Sequence, residues 1–458
     1  MPAPSRLSID DWKTRVKAEI QRRLDRSVSL DWRFMLQKLV LVAFLGTSGV
    51  VAAFAQTLEV NPNKALVDES PAVRATGLQP NQRVSIQAEL VDGENHAWAS
   101  QAEFVADGQG VVDTSLQAPA KGSYRGVSAM GLVWSMKPAE KHVAAYRPPR
   151  NWDAQVIEFR LASHGQEVAK AQLEQKRIAD GVQRIKLDGQ LHGVLFLPGT
   201  SGRHPGVLVL GGSEGGLMPG KAAWLASRGY AALALAYFRY EDLPPLLEGI
   251  PLEYFGNALA WMMQRPEIAS DRIGVMGASR GGELALQLGS MYPQIRAVVA
   301  YVPANVRIAA CCGSTRVPYA WTWRGQPLSF VFPRLLNNPT AMMSAAIAVE
   351  HTRGPVLLIS GEDDGVWPSS MMANEVVTRL KQSHFPYAVE HLKYAHSGHR
   401  AGRPEIVPTW HGRVVNPASG REQNLGGNVE GDAQSSLDAI PKVLGFLQQS
   451  LQGSPPQP

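Results

Sequence analysis

Apolar and polar residues alternate along short segments in the first part of the chain. Between about Leu58 and Leu161, runs such as residues 84–90 (Val-Ser-Ile-Gln-Ala-Glu-Leu) place an apolar side chain at every second position, and Asp-Gly pairs at 92–93 and 107–108 interrupt them. A period of two indicates strands with one buried face. The pattern therefore predicts an all-β, immunoglobulin-like sandwich domain over residues 56–165.

The pattern changes after a polar and charged stretch at residues 166–190, which we interpret as an interdomain linker. From Leu191 onward, continuous apolar runs alternate with helix-length amphipathic segments; the runs lie at 207–210, 231–236, 273–276, 297–301 and 356–359. Such runs are typical of parallel strands buried on both faces. We expect an α/β domain over 191–452, with a mainly parallel sheet, helices on both faces and a closing helix near 435–451, followed by a tail at 453–458.

Residues 1–55 have a different character. Gln37-Lys38 precedes an apolar run from Leu39 to Val51, and Ala53-Phe54-Ala55 stands before Gln56. This order of charge, apolar stretch and small residues is typical of a cleaved secretory signal, and the run is shorter than the roughly 20 residues of a membrane span. We expect export to the periplasm or medium and no stable membrane span after cleavage. The alternatives are an uncleaved anchor, a cytoplasmic protein if the segment is unused, and translation from Met35.

Charge and cysteine content narrow the function classes. The chain of 458 residues has a net charge of +5, but residues 1–55 hold 9 Lys/Arg against 5 Asp/Glu, and the remainder holds 36 against 35. A nearly neutral body lacks the electrostatic footprint of a nucleic-acid-binding protein. The two cysteines, Cys311 and Cys312, are adjacent, so we interpret them as small apolar side chains and not as a staple between distant segments.

Two G-x-S-x-G strings follow predicted strands, at 211–215 and 277–281. In such a string the glycines allow a sharp strand-to-helix turn that exposes the serine hydroxyl. Ser279 leads directly into a helical pattern, as a nucleophile requires. The glycine-rich segment around Ser213 is instead typical of the loop that donates a backbone N–H to an oxyanion. We predict Ser279 as the nucleophile, with the backbone N–H groups of Arg280 and Ser213 as oxyanion donors.

A serine nucleophile needs a histidine base and a carboxylate. In α/β domains that carry the serine on a strand-to-helix turn, the three residues follow one another along the chain in the order Ser, Asp, His. A polar turn after the strand at 356–359 contains Asp363 and Asp364, and a loop after the next predicted strand, 387–392, contains His396 and His399. The position of these loops predicts a catalytic role for one aspartate and one histidine. The pattern alone leaves both choices open.

Longer strings resemble the acyl-CoA thioesterase and bile acid-CoA:amino acid N-acyltransferase family. Residues 234–244 (Ala-Leu-Ala-Tyr-Phe-Arg-Tyr-Glu-Asp-Leu-Pro), 252–255 (Leu-Glu-Tyr-Phe) and 130–134 (Met-Gly-Leu-Val-Trp) are similar to its motifs, so the resemblance covers about residues 58–450. It implies an α/β-hydrolase with an N-terminal β-sandwich, and it assigns the triad to Ser279, Asp364 and His399. The implied activity is hydrolysis of a small-molecule acyl thioester without cofactor or metal.

Two other activities share this triad. An exported carboxylesterase is the main alternative, since coenzyme A thioesters are cytoplasmic. Transfer of the acyl group to an amino acid is a weaker alternative, because the amino-acid-conjugating relatives carry cysteine where this chain has Ser279.

Overall fold

The first domain is a β-sandwich whose strands alternate buried and exposed residues. The computed structural model describes residues 55–452. The strands of this domain are β1 (Thr57–Asn61), β2 (Lys64–Leu66), β3 (Ala72–Thr76), β4 (Arg83–Val91), β5 (Ala97–Val105), β6 (Val112–Asp113), β7 (Lys121–Gly122), β8 (Lys137–Pro138), β9 (Gln155–Ser163) and β10 (Gln166–Lys176). One sheet has the order β1-β3-β6 and the other β2-β10-β9-β4-β5-β7. Both sheets bury their inner faces in one core.

The second domain contains the remaining strands, most of them in one large sheet. They are β11 (Gln183–Lys186), β12 (Gly193–Leu197), β13 (His204–Leu210), β14 (Ala231–Leu235), β15 (Ile250–Pro251), β16 (Ile268–Ala278), β17 (Ile295–Tyr301), β18 (Trp321–Trp323), β19 (Gln326–Pro327), β20 (Val356–Gly361), β21 (Val389–Tyr394), β22 (Val414–Val415) and β23 (Glu422–Gln423). The large sheet has the order β11-β12-β14-β13-β16-β17-β20-β21. It is parallel from β14 to β21 and antiparallel at β11 and β12.

Helices cover both faces of this sheet. The helices of the described residues are α1 (Gly131–Trp134), which lies in the sandwich, and α2 (Pro219–Ser227), α3 (Glu253–Met263), α4 (Arg280–Met291), α5 (Pro339–Ser344), α6 (Ser369–Gln382) and α7 (Val429–Leu451) in the second domain, with short 3₁₀ turns at Pro333–Leu335 and Val349–His351. One hydrophobic core lies on the side of α3, α4 and α6, and a second lies on the side of α2 and α7. The strand order and the two covered faces are those of an α/β-hydrolase.

The prediction of a linker over residues 166–190 is wrong for most of that stretch. Residues 166–176 form β10, which pairs with β9 along nearly its whole length, and 183–186 form the edge strand β11. The prediction failed because most side chains of β10 are exposed or half-buried and polar, although Leu173 is fully buried. A solvent-facing strand rich in Gln, Glu and Lys therefore has the polarity of a linker.

Two smaller differences concern single features. The closing helix α7 starts at Val429 and not near 435, because the side chain of Asn428 accepts a hydrogen bond from the Gly431 N–H at 2.8 Å. Cys311 and Cys312 are joined by a disulfide, although we expected two separate apolar side chains; Cys312 nevertheless lies buried in the core.

The two domains pack directly on each other. Asp68 of the sandwich accepts hydrogen bonds from Trp224 Nε1 of α2 at 2.7 Å and from the Arg228 guanidinium at 2.6 and 2.8 Å. Ile406 joins the sandwich core and donates its N–H to the Val67 carbonyl. The sandwich thus packs against the C-terminal end of α2 and against the segment that follows β21.

The predicted export signal falls on residues outside the described range, except for Ala55. Among residues 55–452, no helix is long and apolar enough to span a membrane.

Candidate active site

Ser279 stands at the turn between β16 and α4. Its backbone has φ 57° and ψ −121°, a strained conformation for a residue with a side chain. The glycines beside it are required by close packing: a Cβ atom at Gly277 would overlap the Gly281 carbonyl, and one at Gly281 would overlap the Gly211 carbonyl. The sequence Gly-Ala-Ser-Arg-Gly therefore folds into a tight elbow that presents the Ser279 hydroxyl at the carboxyl edge of the sheet.

The structure brings Ser279, His399 and Asp364 together. His399 Nε2 lies 2.8 Å from Ser279 Oγ, and His399 Nδ1 lies 2.8 Å and 3.0 Å from the two carboxylate oxygens of Asp364. The side chain of Asp364 is 1% exposed and that of His399 is 10% exposed. This is the geometry in which a carboxylate orients an imidazole that can accept the serine proton.

The competing aspartate and histidine lie elsewhere. Asp363 and His396 face each other at 3.5 Å, and their side chains are 53% and 73% exposed. Asp364 instead turns inward because Oδ1 accepts the backbone N–H groups of Val366 at 2.9 Å and Trp367 at 3.3 Å. The turn thus selects Asp364 through two backbone donors, which the sequence pattern does not reveal.

The glycine-rich loop after β13 lies beside the Ser279 elbow. A Cβ atom at Gly212 would be 3.4 Å from Ser279 Cβ, and Tyr237 Oη donates a hydrogen bond to the Gly211 carbonyl at 2.7 Å. The hydroxyl of Ser213 accepts a hydrogen bond from Asn416 Nδ2 at 3.0 Å, and among residues 55–452 no hydrogen bond joins it to a histidine. Within residues 55–452, the backbone N–H groups of Ser213 and Arg280 donate to no protein acceptor, which leaves both available to an oxyanion.

The buried side chain of Arg280 stabilises the elbow through contacts with Glu283 and with two backbone carbonyls. It is 2% exposed, its Nε lies 3.2 Å from Glu283 Oε2, and its two Nη atoms donate to the carbonyls of Ile308 and Ala309. Glu283 also accepts from Trp321 Nε1 at 2.8 Å, and burial raises the pKa of its carboxyl above the usual value. The Arg280 guanidinium thus ties the start of α4 to residues 308–309, and the Glu283 carboxylate ties it to Trp321.

Several supporting residues escaped the sequence reasoning. Asp432 of α7 accepts hydrogen bonds from Ser397 Oγ at 2.8 Å and from the Gly398 N–H at 2.9 Å, directly before His399. The Trp367 ring packs edge-on against the His399 ring at 5.0 Å between centroids. Their sequence context gives no signal, because these contacts join segments that are far apart along the chain.

One group of side chains in the described residues could offer three metal ligands: His192, Glu241 and Asp242. The two carboxylates face different nitrogens of His192, at 2.8 Å and 3.2 Å, and Glu241 also pairs with Lys186 at 2.7 Å. The contacts are those of a surface ion-pair network. Ser279, Asp364 and His399 take no part in it.

Two family models match the chain. The model described as the BAAT / acyl-CoA thioester hydrolase C terminal matches residues 250–453, and the model described as the acyl-CoA thioester hydrolase/BAAT N-terminal region matches residues 68–189. The first match lies in the α/β domain, and the second covers most of the sandwich and extends over β11.

Curated relatives match along most of their length. Acyl-coenzyme A thioesterase 6 of Mus musculus is 30% identical over 88% of this chain and 98% of its own, and acyl-coenzyme A thioesterase 1 of Rattus norvegicus is 30% identical over 87% and 97%. A solved acylaminoacyl peptidase from Pyrococcus horikoshii aligns with 86% of this chain and 61% of its own, at 13% identity and a TM-score of 0.41. With both family models matched and near-complete coverage of the thioesterases, the chain belongs to the acyl-CoA thioester hydrolase/BAAT family and is a hydrolase.

Proposed function

We propose that this protein hydrolyses an acyl-CoA thioester through an acyl-enzyme formed on Ser279. The observation that carries the proposal is the continuous chain of contacts from Ser279 Oγ to His399 to Asp364, in a member of a family whose matched relatives are named acyl-coenzyme A thioesterases.

In the first step Ser279 Oγ attacks the thioester carbonyl while His399 Nε2 takes the hydroxyl proton. The negatively charged oxygen of the tetrahedral intermediate accepts hydrogen bonds from the backbone N–H groups of Arg280 and Ser213. His399 then gives the proton to the departing sulfur, so that the products of this half-reaction are a thiol and an ester on Ser279. Asp364 holds the imidazole tautomer and stabilises the imidazolium.

In the second step a water molecule attacks the ester of Ser279. His399 accepts a proton from the water and returns it to Ser279 Oγ, which releases the carboxylic acid and the original enzyme. An amine in place of water would give the amide and make the protein an acyltransferase.

The test is a panel in which one acyl group is carried by coenzyme A or by p-nitrophenol, with and without glycine or taurine. We expect one thiol and one free acid per acyl-CoA consumed, no amide, and a fall of about 10⁴-fold in turnover for Ser279→Ala. Ser213→Ala serves as the matched control, because its hydroxyl contacts Asn416 and only its backbone N–H has a proposed role. Turnover that survives Ser279→Ala and is lost in Ser213→Ala would overturn the proposal.

We also propose that residues 39–55 direct export, with the mature chain starting at Gln56; the support is the order of charge, apolar run and small residues. Export favours a second candidate function, an exported carboxylesterase that uses the same three residues on an oxygen ester. Intact-mass measurement of the protein from its native host decides between a start at Gln56 and a retained segment, and the substrate panel decides between the two activities.

A further inference from the structure

The segment directly after β14 holds both ends of the glycine-rich loop that follows β13. Tyr237 Oη donates a hydrogen bond to the Gly211 carbonyl at 2.7 Å, and the Phe238 carbonyl accepts the Gly216 N–H at 2.9 Å. Ser213, whose N–H is a proposed oxyanion donor, lies between these two contacts. The second contact joins backbone to backbone, so only the first depends on which side chain is present.

The Gly211 carbonyl also lies against the elbow of Ser279. A Cβ atom at Gly281 would overlap this carbonyl, so the loop and the elbow touch through their backbones. A shift of the carbonyl would therefore move the Ser213 N–H relative to Ser279 Oγ. The hydrogen bond from Tyr237 acts at the contact that sets the separation between the nucleophile and one oxyanion donor.

The Tyr237 hydroxyl is fixed in place and makes a single contact. The residue is 3% exposed, and its ring packs against Phe255 and Trp321 with centroids 5.4 Å and 5.9 Å away. Within residues 55–452, the Gly211 carbonyl is its only hydrogen-bond partner. Burial raises the pKa of Tyr237 above its usual range, so the hydroxyl keeps the proton that it donates. The contact thus stabilises the loop without a hydrogen bond to the triad.

Resting on the proposed function, we propose that Tyr237 is a positioning residue for the oxyanion: its hydroxyl fixes the Gly211 carbonyl so that the Ser213 N–H points at the oxygen of the tetrahedral intermediate. Tyr237 acts only through the loop. An oxyanion donor contributes mainly in the transition state, where the oxygen carries charge. Loss of the hydroxyl therefore lowers kcat and leaves KM nearly unchanged.

The first test is Tyr237→Phe, which removes the hydroxyl and keeps the ring in its aromatic contacts. We expect kcat to fall by roughly 10- to 100-fold, because a small misplacement of a catalytic group has an effect of this size. KM should stay within about twofold of the parent value. The matched control is Tyr292→Phe, since Tyr292 Oη also donates to a backbone carbonyl of the α/β domain, that of Leu252, at 2.9 Å. The control should keep the parent kcat.

The second test uses an alkyl trifluoromethyl ketone and does not depend on turnover. Ser279 Oγ adds to the ketone carbon, the hydroxyl proton passes to His399, and the carbonyl oxygen becomes an oxyanion while no group leaves. The dissociation constant is followed by the fluorine NMR signal of the adduct. In Tyr237→Phe it should rise by about the factor by which kcat/KM falls, and in Tyr292→Phe it should not change.

The outcomes separate this proposal from the proposed function. If the parent binds the ketone but hydrolyses no thioester, the proposed function fails, and the ketone affinities of the two variants still decide the role of Tyr237. A parent-like kcat and ketone affinity in Tyr237→Phe would overturn the proposal. A higher KM with unchanged kcat would show a role in substrate binding, and equal losses in both variants would show a general structural role; either result would also overturn it.

Discussion

Asp363 and Asp364 are neighbours in one turn, yet their carboxylates meet different surroundings. Asp364 is buried against His399 and two backbone donors, and Asp363 is half exposed beside His396. Which side of the turn each side chain occupies depends on the packing of residues 424–427, since the Gly427 N–H donates to the Asp363 carbonyl at 3.1 Å and the Gly365 N–H donates to the Leu425 carbonyl at 3.3 Å. The sequence pattern could locate the turn but could not choose the residue; the choice of Asp364 came from the family resemblance.

The first prediction concerns this pair. Asp364→Asn keeps the shape of the side chain but removes the charge that holds the His399 tautomer, so kcat should fall by about 10⁴-fold. Asp363→Asn is the matched control and should change kcat less than about threefold, because it alters an exposed pair. Both variants are measured at saturating substrate after their Tm values are checked against the parent. A larger loss of kcat in Asp363→Asn than in Asp364→Asn would show that Asp363, and not Asp364, orients His399.

At the scale of elements, α7 holds the loop that carries His399. Asp432 is 2% exposed and binds the two residues before His399, and Ser435 Oγ accepts the Gly402 N–H at 3.0 Å on the other side of the loop. Gly431 is required there, because a Cβ atom would overlap the His396 carbonyl. The first two turns of α7 thus hold the backbone on both sides of His399 and so position its ring.

The second prediction tests that role. Asp432→Ala should lower kcat by roughly 10²-fold with little change in KM, since a shift of about 1 Å in a catalytic group has that effect. Asp432→Asn keeps an acceptor for Ser397 and Gly398, and it should recover most of the lost kcat. Glu430→Ala, an exposed position in the same turn, is the control. Equal kcat in Asp432→Ala and the parent would show that α7 does not position His399.

The elements themselves differ in how well the pattern predicts them. Strands β13, β14, β17 and β20 are buried along their length, so their apolar runs reveal them. Strand β10 has one solvent-facing side, and its polar residues conceal it. Hydrophobic patterning reports burial, and it is silent where a strand lies at the surface or where side chains meet across long sequence separations, as at Asp432.

At the scale of the whole molecule, the sandwich and the α/β domain share a buried charged contact. The Asp68 side chain is 1% exposed and receives two nitrogens of Arg228 together with Trp224 Nε1. Helix α7 also contacts the sandwich core through Ala433 and Ile440. Because the sandwich packs on α2 and α7, we expect the two domains to unfold as one unit.

The third prediction follows from this contact. Asp68→Ala leaves Arg228 partly buried without its main partner, so the free energy of unfolding should fall by about 3 kcal/mol. Glu69→Ala removes a more exposed partner of the same arginine and should cost about 1 kcal/mol or less. Urea unfolding is followed by tryptophan fluorescence and circular dichroism. Two separated transitions in the parent would contradict the single unit.

The most direct test of the proposed mechanism is to trap the covalent intermediate. Acyl-CoA is mixed with the protein, quenched in acid on the millisecond scale and analysed by intact mass and peptide mapping. We predict a mass increase equal to the acyl group, minus a proton, on the peptide that contains Ser279, and no such adduct in Ser279→Ala. An adduct on Ser213, or steady hydrolysis with no adduct at any time while His399→Ala retains full turnover, would contradict the account.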